Sequence, residues 1–216
     1  MDQAAHYPRP RERIADAWIH AAGLAAGGVG GLVLLTISLV QHRLGQSAAV
    51  AIYAACVLAM FACSAAYNFA GARRRPLLRR FDHAAIFLMI AGSYTPFTTQ
   101  SLTGTWAIAM TAAVWTLALA GAAAKLFLPG LARGFWIGLY LALGWAALAA
   151  LKPLLAALSL AALILLAAGG ILYSLGVVVY ARRSLPFRRA IWHGFVLAAA
   201  GTQYAAVLIG VVLAAR

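Results

Sequence analysis

From about Asp16 to its end, the chain is a succession of apolar blocks, nearly all of them 18 residues or longer, joined by links of a few polar residues. A block of that length is what a helix needs to cross the hydrocarbon core of a bilayer, and it is longer than a core helix of a soluble domain requires. The blocks also lack the polar face that a 3.6-residue or 2-residue period would give. Hydrophobic residues make up 65% of the chain and charged residues 10%, with a mean hydropathy of +0.90, whereas soluble domains are about 45–50% apolar. The fold expected is an all-α membrane protein, a seven-transmembrane helix bundle. Its spans are expected at about residues 16–39, 47–71, 82–100, 105–127, 135–151, 154–180 and 190–214, after a polar N-terminal tail over residues 1–15. The seven-span domain thus runs over 16–216, with no separate soluble domain. Lys152-Pro153 is expected to end the fifth helix, because proline lacks a donor and disfavours helix at the residue before it.

Charge sets the expected orientation. Alternate links and the N-terminal tail hold fourteen of the 17 Lys and Arg residues, and the other links with the C-terminus hold three. That asymmetry places the N-terminus in the cytoplasm and, with seven spans, the C-terminus outside. The tail lacks the apolar segment and small-residue cleavage site of a secretory signal, so it reads as retained. The net charge of +13 is topological on this reading, not a footprint for nucleic acid. Membrane lipids are the expected partners, and nothing in the chain marks a protein partner. Cys56 and Cys63 lie inside an apolar block without CxxC spacing and read as small core residues.

The stretch from Arg73 to Phe97 concentrates the chemistry. Arg73-Arg74-Arg75-Pro76-Leu77-Leu78-Arg79-Arg80 is the densest cationic run, and Asp82, the only acidic residue after position 16, follows it at the head of an apolar span. A carboxylate at that level is costly unless it is paired, ligating or wet, which makes it a functional-site candidate. By the same topology His20, Ser64, Asn68, Asp82, His83, Arg189 and His193 all fall near the cytoplasmic ends of their spans. Ser64 and Asn68 are four residues apart, as are Arg189 and His193, so each pair shares a helix face. These seven residues form the candidate pocket. Each also has a plain structural role open to it: Asp82 as an N-cap countered by Arg79 or Arg80, Ser64 and Asn68 as packing pins, His83 and His193 as interfacial residues.

His20-Ala21-Ala22-Gly23, Ser64-x-x-Tyr67-Asn68, the run Phe81-Asp82-His83-x-x-Ile86-Phe87-Leu88-x-Ile90-Ala91-Gly92-Ser93-Tyr94-Thr95-Pro96-Phe97, and Trp192-His193-x-Phe195-Val196-Leu197 resemble the hemolysin III family, the bacterial branch of the progestin and adipoQ receptor (PAQR) group. The resemblance implies a bacterial cytoplasmic-membrane protein with a zinc site near the cytoplasmic face. In the family pattern that site uses a serine and a histidine in span two, an aspartate opening span three, and two histidines in span seven. Ser64, Asp82 and His193 match it. Asn68 and Arg189 stand where histidines are expected, and Gln203 stands where relatives often carry histidine. An amide is a poor zinc ligand and a guanidinium offers no lone pair. The expected site is therefore degenerate, with an Arg189–Asp82 pair in place of the metal and no cofactor. The alternative is a zinc ion rescued by His193, Asp82 and His20.

Two functions follow from the resemblance. One is a hemolysin III-like factor in membrane permeability or lipid homeostasis. The other is a zinc-dependent, ceramidase-like lipid amide hydrolase with Asp82 and Ser64 as catalytic residues.

Overall fold

The computed structural model describes residues 6–128, 130–182 and 184–214, and the described residues are helical with short links and no strand. Helix α1 (Pro10–Val40) is followed by α2 (Leu44–Phe69), α3 (Arg75–Gln100) and α4 (Gly104–Phe127). Next come α5 (Arg133–Gly144), a 3-10 segment Ala146–Ala150 and the short α6 (Leu151–Ala157). Helices α7 (Leu160–Ala181) and α8 (Arg188–Val207) complete the bundle, α8 running on through a π segment Leu208–Val212. Six helical segments are long and apolar enough to cross a membrane, with α5 to α6 counted as one. The chain is an integral membrane protein by that measure.

Three boundaries differ from those expected. Helix α1 begins at Pro10 and α3 at Arg75, each with proline in its first turn, where the missing N–H has no intrahelical partner to lose. The arginine run is thus largely helical. Asp82 lies two turns inside α3 and is not its N-cap. Lys152-Pro153 begins α6 and does not end the helix before it, for the same reason. The break falls instead at Leu158-Ser159, where the Ser159 side chain accepts from the Ala162 N–H and caps α7.

The helices follow one another around the bundle as antiparallel neighbours, with α1 packed against both α2 and α8, α7 along α8, and α3 against α2, α4, α5 and α8. Helix α3 is the 26-residue helix that falls outside the six apolar candidates. Its second half is rich in hydroxyls, and three of these are satisfied within the helix: Ser93 donates to Met89 O, Thr95 to Ala91 O and Thr99 to Thr95 O. Glycines set how closely α1 approaches α2. A Cβ on Gly31 would lie 2.7 Å from that of Ala54, and one on Gly23 would lie 2.5 Å from the Phe61 ring. Small residues at these positions let backbones approach in lipid, and here they bring His20 on α1 against Ser64 on α2.

Candidate functional site

Three helices contribute to one buried polar cluster. Asp16 and His20 come from the second and third turns of α1, one helical repeat apart. Ser64 and Asn68 come from the last turns of α2, and His193 from the second turn of α8. All five are between 0 and 8% exposed. Phe187 precedes α8 in the left-handed region, with φ of 54°, and this turns the start of α8 over the cluster.

The hydrogen bonds fix the imidazole protons. His20 Nδ1 lies 2.8 Å from the Asp16 carbonyl oxygen, which only accepts, so Nδ1 carries the hydrogen. His193 Nδ1 lies 2.6 Å from Asp16 Oδ1 and donates to that carboxylate. Both rings therefore turn Nε2 away from Asp16 and toward Ser64 Oγ, at 3.1 Å for His20 and 3.4 Å for His193. Asp82, half-buried on α3, also interacts with the Ser64 hydroxyl, with His193 and Arg189 close enough to act on it. Asn68 Nδ2 donates to Ser64 Oγ at 3.3 Å. The serine hydroxyl has one proton to give, and two Nε2 lone pairs and a carboxylate compete for it. The cluster is rich in acceptors and short of protons, an imbalance that a bound cation removes.

Asp16, His20 and His193 each offer a ligand atom, all within 4.8 Å of one another. Two imidazoles and a carboxylate match the three-ligand set of a catalytic zinc site. A carboxylate behind the Nδ1 of a ligating histidine is equally the usual way such a ring is held. The residues present fit a divalent cation on either arrangement. The fit comes through α1, not through the positions where Asn68 and Arg189 replace histidine.

Arg189 is engaged elsewhere than expected. Its Nε donates to the His6 carbonyl at 3.0 Å and its Nη1 to Asn68 Oδ1 at 3.5 Å. Among the described residues the carboxylate in ion pairs within 4.0 Å is that of Asp16, with His20 and His193, and no Arg189–Asp82 pair forms. His83 lies on the far flank, where its carbonyl accepts from Tyr140 Oη at 2.9 Å and its ring neighbours Tyr67. Gln203 lies a helical stretch away and donates to Leu166 O.

The sequence reading missed Asp16 and the segment before α1. Asp16 read as the first residue of a span, although its i,i+4 spacing from His20 signals a shared face. Tyr7 donates to Asp16 Oδ2, stacks on Phe69 and lies beneath the Arg189 guanidinium. His6 Nε2 lies 3.2 Å from Asn68 Oδ1, and its ring meets Tyr67 edge-on. Burial, and then the positive charges of Arg189 and Arg75, push the His6 pKa down to about 4. Burial and the bond to Asp16 hold the Tyr7 hydroxyl well above the usual phenol range.

An apolar cavity of about 240 Å³ lies among α3, α5, α6, α7 and α8, lined by Met89, Tyr94, Tyr140, Tyr173, Trp192 and, at the polar cluster, His193. His193 thus belongs to both the cluster and the cavity wall.

The family model described as haemolysin-III related matches residues 9–204. The chain is 34% identical over 200 residues to the hemolysin-3 homolog of Bacillus subtilis (strain 168), covering 92% of this chain and 93% of that protein. It is 34% identical over 202 residues to hemolysin-3 of Bacillus cereus, covering 92% and 91%. It is also 27% identical over 214 residues to the human monocyte to macrophage differentiation factor, covering 93% and 84%.

Proposed function

The chain belongs to the haemolysin-III-related family, and on that premise we propose that it is a membrane-embedded hydrolase of lipid amides or esters, serving lipid homeostasis in the bacterial cytoplasmic membrane. In this reading α3 is a seventh span, the N-terminus is cytoplasmic and the polar cluster lies near the cytoplasmic face. The fourteen-to-three distribution of Lys and Arg supports that orientation. The observation that carries the proposal is the double position of His193. An acyl chain in the apolar cavity would bring its carbonyl to the one polar group on the cavity wall that also belongs to the cluster.

His20 and His193 would hold a zinc ion through the Nε2 atoms they turn away from Asp16, and when bound it would polarise a carbonyl and make water a nucleophile near neutral pH. Asp16 orients both imidazoles through their Nδ1 hydrogens. Ser64 Oγ, fixed by Asn68, positions the attacking water, and the Asp82 carboxylate beside it takes the water's proton and returns it to the leaving group. The apolar lining of the cavity disfavours further water. A metal-free variant is favoured by one set of distances, the relay from Asp16 through His193 to Ser64 at 2.6 and 3.4 Å, which has the connectivity of a hydrolytic triad.

A permeability role would need a polar route through the protein. Val50, Tyr53, Val57, Met60 and Phe61 make the buried face of α2 beyond the cluster apolar, which favours the hydrolase over a permeability role. The test is fatty-acid release from ceramide-like amides and from phospholipids by purified protein in nanodiscs, with elemental analysis of bound zinc. Release that needs His193 and Ser64 and falls with chelator supports the zinc reading. Release insensitive to chelator supports the relay. Dye leakage from liposomes with no release from any lipid refutes the hydrolase.

A further inference from the structure

We infer that His6 and Tyr7 form a built-in lid over the polar cluster, and that Asn68 and Arg189 are the latch that holds it shut. The lid makes its contacts with three helices. Arg189 Nε donates to the His6 carbonyl at 3.0 Å, His6 Nε2 meets Asn68 Oδ1 at 3.2 Å, and the Tyr7 hydroxyl donates to the oxygen of Asp16 that His193 leaves free. The Tyr7 ring is held between Phe69 of α2, stacked at 6.1 Å, and the Arg189 guanidinium, 5.8 Å from its centroid.

Each anchoring group is joined to the cluster. Asn68 also donates to Ser64, Asp16 holds His193, and Arg189 lies one helical turn before His193. Asn68 and Arg189 thus grip the segment before α1 together with Asp16 and Phe69. A histidine at position 189 could not supply the guanidinium that both donates to a peptide carbonyl and lies over a tyrosine ring. With the lid in place, the cluster is covered on the face that bears His6 and Tyr7, and the apolar cavity along His193 approaches it from another side. Solutes, water and leaving groups from the aqueous side then pass only when the lid lifts. The inference rests on the cluster being a functional site, and it is independent of the reaction assigned to it.

The lid is tested by placing a reporter thiol beneath it. Ser64→Cys, with Cys63→Ala to remove the neighbouring thiol, is treated with a charged, water-soluble methanethiosulfonate, and native Cys56 serves as the reference within the same molecule. Removing residues 2–8, or Arg189→Ala, should speed modification at position 64 by about tenfold or more, the equivalent of one charge-assisted hydrogen bond. Cys56 should not change. An unchanged rate at position 64 in both variants overturns the lid. So does a parallel acceleration at Cys56, which marks general loosening. The labelling rate is read whether or not any lipid is cleaved, so the lid and the hydrolase fail separately.

Discussion

Replacing Asp16 tests the whole construction of the site, because this side chain touches each of its parts. It is fully buried, accepts from His193 Nδ1 at 2.6 Å and from the Tyr7 hydroxyl, and lies 3.7 Å from His20 Nδ1. Asp16→Ala leaves two buried donors without an acceptor, at about 1–3 kcal/mol each. The expected loss is about 2–6 kcal/mol of stability. Asp16→Asn keeps the shape and one acceptor oxygen but loses the charge, so it should cost about 1 kcal/mol. The two differ oppositely in what they report. The alanine variant should unfold earlier on heating in detergent, and the asparagine variant should stay folded while its zinc affinity falls roughly 10–100-fold, as for any group that holds a ligating imidazole. Thermal unfolding and metal titration are read on the same preparations, with Glu12→Ala, outside the cluster, as a control expected within about 0.5 kcal/mol of the parent. An Asp16→Ala protein as stable as that control would refute the assigned hydrogen bonds. An Asp16→Asn protein with undiminished zinc affinity would refute the carboxylate's part in the cation site.

Gly31→Ala, whose methyl would meet the Ala54 Cβ at 2.7 Å, should cost about 1–3 kcal/mol by thermal unfolding, whereas Gly28→Ala, with nothing within 4 Å, should be neutral or better. Ala167→Phe, on the cavity lining, should lower fatty-acid release severalfold while bound metal stays unchanged; equal release would detach the cavity from the reaction. His6 supplies the pH dependence. It sits among Arg189, Arg75, Asn68, Tyr67, Tyr7 and, further off, Asp16, and its pKa falls from 6.5 to about 4 in the closed segment. The closed form therefore binds fewer protons than the open one, so its stability is complete above about 6.5 and is lost as pH falls toward 4. Corrected for the thiolate fraction at each pH, labelling at position 64 should accelerate on acidification across that window, and His6→Gln should flatten the response.

Much of the bundle was legible because bilayer thickness and backbone hydrogen bonding leave a long apolar block one choice of structure. Ser64, Asn68 and His193 were placed together by reading which ends of the spans share a level, an inference that needs only helix rise and alternation. Asp82 was singled out by its rarity, and it does lie beside Ser64, but its expected partner Arg189 is turned to His6 and Asn68. Lys152-Pro153 misled because proline is a helix breaker in the interior and a helix former in the first turn, and the sequence does not say which turn it occupies.

By itself the sequence determined that this chain is a helical membrane protein of the haemolysin III family, and that its ionisable side chains gather at one end of the helices. Those are matters of composition, block length and order along the chain. Only the tertiary structure decided that Asp16 stands at the centre of the cluster, that His193 borders an apolar cavity, and that His6 and Tyr7 pack against the site. Each of these depends on the rotation of one helix about its axis relative to others far away in sequence. In a chain this uniformly apolar that rotation leaves almost no periodic trace; it is set by close contacts such as Gly23 against Phe61 and Gly31 against Ala54.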